Sequence, residues 1–268
     1  MPELSIIIVT YNARDDVERC LESLHRPAPH VDHEVVVVDN QSADGSADAV
    51  RRWHDVRLIE AGTNLGFARA NNAGIRSSTG TTLLLLNPDT IVPPQAIDRL
   101  LDVLANHPDA AVVGPRLVDG RGRAELSFGR MIGPLNEVRQ KRLVAGHARG
   151  EPRATRRVDE LTRREHWPDW VSGACLLVRR TDAEAVGLLD ERFELYTEDV
   201  DFCAAIRARG RRILFTPAVE IVHLRGRSAS TVPAAAAAAY RRSRLAFYEK
   251  HHPLWAPVLR VYLRLRGR

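Results

Sequence analysis

The sequence predicts an α/β protein with a Rossmann-like, mostly parallel sheet flanked by helices. Three observations indicate this fold class. The continuous β-branched run Leu4–Thr10 is typical of a strand buried on both faces. Strand-sized runs alternate with helical periodicity over residues 1–115, which is the pattern of strand–helix–strand units with right-handed crossovers. Polar clusters follow several predicted strands, where open parallel sheets bind their ligands.

The segment 1–115 contains five predicted strands and a helix in each connection. The helices are recognised by apolar residues that recur on one face, as Val17, Cys20 and Leu24 do. The predicted strands are Leu4–Thr10, Glu34–Asp39, Val56–Glu60, Thr82–Leu86 and Ala111–Gly114. The predicted helices are Arg14–Leu24, Ser46–Trp53, Phe67–Ile75 and Pro94–Asn106.

The rest of the chain has a different organisation. Residues 116–168 are rich in arginine and show little periodicity apart from a short helix near Leu135–Val144, so we expect a flexible basic loop or lid. In 169–227, the predicted strands are Trp170–Val178, Arg212–Phe215 and Val219–Val222, and the predicted helix is Asp199–Arg209. We therefore divide the chain into one domain, 1–227, and a helical tail, 228–268.

Length and composition are those of a globular protein. The 268 residues are 44% hydrophobic and 27% charged, which excludes a disordered chain or a coiled coil. The longest apolar runs are the length of a strand, and the N-terminus lacks the features of a signal peptide, so we expect a cytoplasmic protein. Cys20, Cys175 and Cys203 are widely spaced and are interpreted as core thiols.

The positive charge is concentrated in the tail. The net charge is +5 overall, +7 from Ser228 onward and −2 before it, which disfavours a nucleic-acid-binding body. In the tail, apolar and basic residues both recur at helical spacing. The apolar set is Leu254, Val258, Val261, Tyr262 and Leu265; the basic set is Arg260, Arg264 and Arg268. This pattern fits a helix lying on anionic lipid, with Trp255 near its start, and equally a helix packed on the domain.

Three polar clusters follow predicted strands that should end at the same edge of the sheet. They are Thr10-Tyr11-Asn12, Asp39-Asn40-Gln41-Ser42 and Asn87-Pro88-Asp89. Single Asp and Ser residues at such places often only cap the next helix, but three converging clusters favour a ligand site. Neither G-x-G-x-x-G nor a P-loop signature is present, which weakens a dinucleotide and excludes a P-loop interpretation.

Several motifs occur in a fixed order along residues 3–227. They are SIIIVTYN, VVVDNQSADGS, NLGFARANNAG, LLLLNPD, WVSGACLLVRR and LDERFELYTEDVDFCAAIRARG, followed by His223. This ordered set resembles the family 2 glycosyltransferases of the GT-A fold, in particular the bacterial rhamnosyltransferase-like branch.

The resemblance implies that the first half binds a nucleoside-diphosphate sugar. Asp39 matches the carboxylate that reads the pyrimidine base, and Gly66 permits close backbone approach at a helix N-terminus. The guanidinium groups of Arg225 and Arg227 would bind the diphosphate through paired hydrogen bonds. The implied donor-binding set is Thr10, Tyr11, Asn12, Asp39, Asn64, Gly66, Phe67, Arg69, Asn72, Asn87, Arg225 and Arg227.

The resemblance also implies a divalent cation, Mg²⁺ or Mn²⁺, that offsets the charge of the diphosphate. Asn87-Pro88-Asp89 occupies the place of the family's D-x-D motif, with Asn87 instead of the first aspartate. Asp89 is the expected metal ligand, and His223 is expected to complete the metal or diphosphate site. A plain β-turn and a structural histidine are the alternatives.

Catalysis is expected at the acidic cluster that begins the helix near residue 199. Asp199 matches the family's catalytic base, and Glu198 would orient it or the acceptor; a charged N-terminal turn is the alternative. Trp170, Ser172 and Gly173 are the expected acceptor-binding residues, although Trp170 could equally belong to the core. Residues 139–164 are a candidate lid on the acceptor side.

The expected function is therefore inverting glycosyl transfer. The leading donor is dTDP-L-rhamnose, and the expected acceptor is a saccharide on a polyprenyl diphosphate at the inner face of the cell membrane, in cell-wall or surface-polysaccharide synthesis. Two alternatives stay open: another donor, such as UDP-galactofuranose or UDP-GlcNAc, and a non-catalytic protein that binds sugar nucleotides.

Overall fold

The computed structural model describes residues 2–193, 195–224 and 233–266. The strands are β1 (Leu4–Thr10), β2 (His33–Asp39), β3 (Val56–Glu60), β4 (Thr82–Leu86), β5 (Thr90–Ile91), β6 (Ala110–Val118), β7 (Phe128–Gly129), β8 (Trp170–Val171), β9 (Cys175–Arg179) and β10 (Arg212–His223). The helices are α1 (Arg14–His25), α2 (Ser46–Arg51), α3 (Phe67–Arg76), α4 (Ala96–Asn106), α5 (Pro134–Ala148), α6 (Pro152–Thr162), α7 (Arg180–Ala185), α8 (Glu198–Ala208), α9 (Pro233–His251) and α10 (Ala256–Arg266).

Eight strands form one mostly parallel sheet in the order β3-β2-β1-β4-β9-β6-β10-β5. The pairs β1–β2, β1–β4, β2–β3 and β6–β10 are parallel, whereas β9 is antiparallel to both β4 and β6. The predicted fold class is therefore confirmed. The strand–helix rhythm did not anticipate the two antiparallel strands, β9 at the centre and the short β5, which pairs with β10 at the edge.

Two predicted strands have different limits from those expected. The run Trp170–Val178 is split into β8 and β9, because residues 172–174 leave the ladder and Gly173 contacts helix α8 instead. The two strands expected at 212–222 are one strand, β10, whose pairing with β6 shifts register between Thr216 and Glu220. Pro217 lies in that interval and has no N–H to donate to the neighbouring strand.

The sheet is covered on both faces, as its continuous apolar strands require. In β1, Ile6 and Ile8 pack in the cluster that contains α1 and α4, whereas Ile7 packs on the opposite face with Ile75 of α3 and Phe202 of α8. All three isoleucines are fully buried. Burial on both faces explains why this strand lacks polar–apolar alternation.

The segment 116–168 is more regular than the sequence pattern predicted. Helix α5 confirms and extends the short helix predicted near Leu135–Val144. The segment also contains β7 and α6, so the expectation of an irregular loop elsewhere is wrong for much of its length. Both helices have proline at their first position, where the missing N–H has no intrahelical partner to lose. The apolar periodicity is weak because α5 buries the charged residue Glu137, which pairs with Arg244.

The helical tail packs on the domain. Phe247 and Tyr248 of α9 and Leu259 of α10 form a small core with Phe193 and Val200, next to the start of α8. Arg225, Arg227 and Arg268 lie outside the described residues. Among the helices that the structure describes, none has the length and apolarity needed to cross a membrane.

Candidate active site

A cleft of about 1240 Å³ opens where the expected polar clusters meet helices α8 and α9. It is bordered by the ends of β1 and β4, the N-terminus of α3, the loop before β9 and the first turn of α8. Thirteen of the expected site residues line it: Tyr11, Asn64, Gly66, Phe67, Arg69, Asn87, Asp89, Trp170, Ser172, Gly173, Glu198, Asp199 and His223.

The clusters after β1 and β2 hold each other in place. The Asn12 backbone N–H donates to Ser42 Oγ (2.9 Å), and Asn12 Oδ1 accepts from the Ala43 N–H (2.7 Å). Asp39 caps the same turn, since its Oδ2 accepts from the Ser42 N–H at 3.0 Å. The other carboxylate oxygen of Asp39 and the hydroxyl of Thr10 are buried and have no hydrogen-bond partner among the described residues. Such atoms are available to a ligand.

Asn40 organises the loop that opens helix α3. Its Nδ2 donates to Asn64 Oδ1 (2.9 Å), and its Oδ1 accepts from the Leu65 N–H (2.8 Å). Asn64 Oδ1 also accepts from the Gly66 N–H at 3.0 Å. Gly66 has φ 79°, a left-handed conformation that favours glycine, and α3 begins at Phe67. The N-terminus of α3 thus faces the cleft, where it attracts negative charge.

An Asp–His–Glu chain lies at the end of β4. His223 Nε2 is 3.3 Å from Asp89 Oδ1, and His223 Nδ1 is 3.1 Å from Glu125 Oε2. Although burial favours the neutral ring, the hydrogen bonds and charges of Asp89 and Glu125 raise the pKa of His223 to about 9. The two buried carboxylates therefore favour the protonated form of the ring. Nearby, Asn87 Oδ1 is buried without a partner.

The acidic cluster forms the first turn of α8. Asp199 Oδ2 accepts from the Gly173 N–H at 2.9 Å, and its Oδ1 accepts from the Val200 N–H at 2.8 Å. Glu198 is 5% exposed, and its Oε2 has no partner. Tyr196 and Thr197, just before the helix, have φ values of 66° and 68°. Two consecutive left-handed non-glycine residues store backbone strain beside the carboxylates.

Burial shapes the protonation of this pair. It raises the pKa of Glu198 well above its ordinary value, and the neighbouring Asp199 charge raises it further. Burial also raises the pKa of Asp199, but the N–H donors of Gly173 and Val200 oppose that change. Because only Asp199 has donors for both oxygens, we assign the negative charge to Asp199 and the proton to Glu198.

The three expected acceptor residues lie on the strand opposite β7 and in the loop after it. Trp170 Nε1 donates to the Arg130 carbonyl oxygen at 3.0 Å, while the Trp170 ring packs on both neighbouring cores. The Ser172 N–H donates to the Ser127 carbonyl oxygen (2.7 Å), and Ser172 Oγ accepts from the Ala174 N–H (3.2 Å). These bonds fix the loop that carries Gly173.

Comparison with known proteins identifies the family. The profile described as "Glycosyl transferase family 2" matches residues 5–164. An N-acetylglucosaminyl-diphospho-decaprenol L-rhamnosyltransferase of Mycobacterium tuberculosis is 32% identical, over 97% of this chain and 89% of its own length. The chain belongs to glycosyltransferase family 2.

More distant relatives extend the comparison. A low-salt glycan biosynthesis hexosyltransferase of Haloferax volcanii is 27% identical over 83% of the present glycosyltransferase and 67% of its own chain. Among solved structures, a mannosyltransferase from Pyrobaculum calidifontis in complex with GDP-Man and Mn²⁺ superimposes with a TM-score of 0.62 at 21% identity. The overlap covers 97% of this chain and 68% of that one and shows that the glycosyltransferase has the GT-A fold.

Among the described residues expected to bind the donor, four do not line the cleft. Thr10, Asn12 and Asp39 lie immediately behind its edge, in the turn that supports Tyr11. Asn72 is fully buried; its Nδ2 donates to the Leu189 carbonyl oxygen at 2.8 Å, and its Oδ1 accepts from the Leu189 N–H. The structure thus gives Asn72 a packing role between α3 and the 189–191 segment.

Sequence reasoning missed several residues of the glycosyltransferase site. Glu125 contacts His223 but lies 98 positions before it, in a segment that shows no periodicity. Asn40 stands in a polar cluster that was recognised, so its position after β2 was the available signal. Tyr196, Tyr240 and Arg242 also line the cleft, and no pattern in the sequence connected α9 with α8.

Proposed function

We propose that this glycosyltransferase is an inverting enzyme in which Asp199 is the general base. The observation that carries the proposal is the carboxylate of Asp199, held in the cleft by the Gly173 and Val200 N–H groups beside the buried Glu198. Inverting transfer needs one ionised carboxylate to accept the proton of the acceptor hydroxyl, and Asp199 beside a protonated Glu198 supplies one.

The transfer is a single displacement. The acceptor oxygen attacks the anomeric carbon as the bond from that carbon to the diphosphate oxygen breaks, and the nucleoside diphosphate leaves with the electron pair. The acceptor's proton passes to a carboxylate oxygen of Asp199. Glu198, which keeps its own proton, limits the negative charge beside the base and holds its orientation.

We propose that the donor lies along the expected residues of the first half. Gly66, Phe67 and Arg69, at the N-terminus of α3, suit the diphosphate because the backbone dipole and the guanidinium both attract anions. The unpartnered oxygen of Asp39 suits a ring N–H of a pyrimidine behind Tyr11. Asn87, whose amide oxygen is unpartnered, suits the ribose.

A divalent cation fits the end of β4, with Asp89 as its protein ligand and His223 beside it. In the described parts of the chain, no group of three His, Cys, Asp or Glu side chains is arranged to hold a metal by itself. Mg²⁺ and Mn²⁺ commonly take one or two carboxylates and complete their shell with substrate phosphates and water. When bound, the cation would supply charge stabilisation for the departing diphosphate.

The donor sugar and the acceptor are proposed from the relative in M. tuberculosis. We propose L-rhamnose from dTDP-rhamnose and an acceptor saccharide on a polyprenyl diphosphate, because that relative's name specifies this transfer and the match covers nearly the whole chain. The reaction would belong to cell-wall or surface-polysaccharide synthesis on the cytoplasmic side of the membrane. UDP-galactofuranose and UDP-GlcNAc are the competing donors.

We propose that the tail seats the enzyme on an anionic membrane. Along α10 and the turn before it, one stripe of apolar residues is exposed: Leu254 90%, Val258 58%, Val261 57% and Leu265 71%. The opposite stripe, with Ala256 and Leu259, packs on the domain. Arg260 and Arg264 flank the exposed stripe, which is the pattern of a helix lying in a lipid interface.

A donor panel tests the proposal. Purified enzyme is incubated with dTDP-rhamnose, UDP-galactofuranose or UDP-GlcNAc, with and without Mn²⁺, and donor hydrolysis and thermal stabilisation are measured. One donor should stabilise and turn over in the wild type, while Asp199→Asn should bind it without turnover. Binding by the wild type with no hydrolysis and no transfer to a synthetic lipid-linked acceptor would favour a non-catalytic protein.

A further inference from the structure

Helix α9 forms part of the wall of the cleft next to the proposed base. Tyr240 of α9 meets Tyr196 edge to face, with ring centroids 5.7 Å apart and ring planes at 82°. Both rings line the cleft, and the Tyr196 side of the pair is 39% exposed. A pair of large aromatic rings left open in a substrate cleft requires an explanation, because such surface is usually buried in a core or against a ligand.

The backbone at Tyr196 is strained. Its φ of 66° is left-handed, as is that of Thr197, and the next two residues are Glu198 and Asp199. A left-handed non-glycine residue is strained, and two in succession persist only where the surrounding structure holds them. The strained turn therefore fixes the Tyr196 ring within three residues of the proposed base.

Helix α9, which carries Tyr240, is joined to helix α8, which carries the proposed base, by two side-chain contacts to Asp201. Asp201 of α8 is 2% exposed and receives Lys250 Nζ at 2.8 Å and His251 Nε2 at 2.6 Å, both from α9. Lys250 Nζ also donates to Asp190 at 2.8 Å. At the other end of the pair, Lys141 of α5 lies 5.2 Å from the centre of the Tyr240 ring. Helix α9 is thus fastened to the first turn of α8.

We propose that the Tyr196–Tyr240 pair is the platform for the acceptor's sugar ring and that Lys250 and His251 are positioning residues for the base. The inference rests on the proposed function. The base has to contact the acceptor hydroxyl, so rings within a few residues of Asp199 lie where the acceptor arrives. The apolar C–H face of a pyranose packs on aromatic rings, and its hydroxyls stay free for polar groups.

The donor is the less suitable occupant of this platform. The proposed donor residues follow β1, β2 and β4 or open α3, whereas Tyr196 belongs to the segment leading into α8 and Tyr240 belongs to α9. Lys141 of α5, which lies over the Tyr240 ring, and Arg242 of α9 also line the cleft. They would face an anionic group attached to the acceptor sugar.

The test uses Tyr240→Ala, Tyr240→Phe and, as a matched control, Arg241→Gln on the exposed neighbour. The acceptor is synthetic N-acetylglucosaminyl diphosphate on a short lipid chain, and the donor is the one that the panel identifies. We expect Tyr240→Ala to raise the acceptor KM about tenfold or more, while the donor Kd stays near wild type. Tyr240→Phe keeps the ring and should restore the low KM.

Other outcomes separate the two proposals. A wild-type acceptor KM in Tyr240→Ala, or a donor Kd that rises as much as the acceptor KM, would overturn the platform. Wild-type enzyme that turns over no donor would instead remove the proposed function. For the positioning role, Lys250→Met should lower kcat with little change in acceptor KM, and Lys250→Arg should recover it. A changed Tm with unchanged kcat would show a purely structural contact.

Discussion

The backbone N–H of Gly173 donates to Oδ2 of Asp199 at 2.9 Å, joining the loop between β8 and β9 to the first turn of α8. The two residues approach closely, since a Cβ on Gly173 would lie 3.4 Å from the Asp199 Cβ. This contact opposes the rise that burial gives to the pKa of Asp199, and it holds the Asp199 carboxylate at the cleft. The strand that the sequence predicted as continuous is interrupted at this place for that reason.

Replacing the proposed base should separate binding from chemistry. Asp199→Asn retains the shape of the side chain but removes its basicity, so we expect kcat to fall by about 10²-fold to 10⁴-fold. The donor Kd, measured by thermal stabilisation, should change little. Asp102→Asn, on an exposed position of α4, is the matched control and should retain full activity. Activity near wild type in Asp199→Asn would assign the base elsewhere.

Glu198 should destabilise the fold at neutral pH. Its pKa is raised in the folded protein, so the native state holds the proton more tightly than the unfolded chain, in which the pKa is about 4.3. Stability is therefore lost as pH rises from the unfolded towards the folded pKa. We expect Glu198→Gln to increase the free energy of unfolding near pH 8 by something on the order of 1 kcal/mol.

The pH profile supplies the check on Glu198. Below the unfolded pKa both states are protonated, so the advantage of Glu198→Gln should disappear towards about pH 4. Urea unfolding of both proteins across this range measures the difference. A stability gain independent of pH would attribute the effect to packing and not to charge.

Metal dependence should act through Asp89. In the wild type, we expect EDTA to remove both activity and the thermal stabilisation by nucleoside diphosphate, and added Mn²⁺ to restore both. Asp89→Ala should lose activity by about 10²-fold or more, with no recovery at high Mn²⁺. Calorimetric titration with Mn²⁺ in the presence of the diphosphate measures the binding directly. If nucleoside diphosphate stabilised the EDTA-treated enzyme as much as the untreated enzyme, the diphosphate would be bound without metal.

The Asp201–Lys250 contact should contribute measurably to stability. Lys250→Met leaves the buried Asp201 carboxylate with the His251 ring as its remaining partner from α9, and we expect a loss of about 2 kcal/mol in urea unfolding. The matched control is Arg260→Met, which breaks a half-exposed pair with Glu249 and should cost less than about 1 kcal/mol. An equal loss of unfolding free energy in the two variants would show that the Asp201–Lys250 pair contributes no more than an exposed surface pair.

Membrane binding should depend on the arginines that flank the exposed stripe of α10. Each arginine near an anionic surface is worth about 1 kcal/mol, so Arg260→Gln with Arg264→Gln should weaken binding to phosphatidylserine vesicles about tenfold or more. Arg153→Gln with Arg156→Gln makes the same charge change on an exposed part of α6 and serves as the control. Equal weakening in both pairs, measured by vesicle sedimentation, would indicate non-specific attraction.

Local patterns predicted the fold and much of the site. Strands β1, β3 and β4 have the predicted bounds. In β1 and β4, burial on both faces leaves an uninterrupted apolar run in the sequence. The polar clusters after β1, β2 and β4 meet at one edge because parallel strands end together. All three clusters supply cleft residues, namely Tyr11, Asn40, Asn87 and Asp89.

Helices without an apolar stripe were harder to predict. Helix α5 was predicted only as the short segment Leu135–Val144, since its buried contact is the charged residue Glu137 and not a row of leucines. Asn72 belongs to a polar motif that suggested the donor, yet a fully buried amide satisfied by the Leu189 backbone has no free group for a ligand.

By itself, the sequence determined most of the strands and helices of residues 1–115, the family and the carboxylates at the start of α8, because each is recognised from short local motifs or from their order along the chain. Tertiary structure decided the partners. Glu125 reaches His223, and Tyr240 reaches Tyr196, across separations at which sequence periodicity carries no information. Tertiary structure also decided the roles of the basic residues in the tail. Lys250 pairs with the buried Asp201, whereas Arg264 is exposed beside the apolar stripe. Counting charges cannot separate the two roles, since the folded geometry alone determines which cation meets a buried carboxylate.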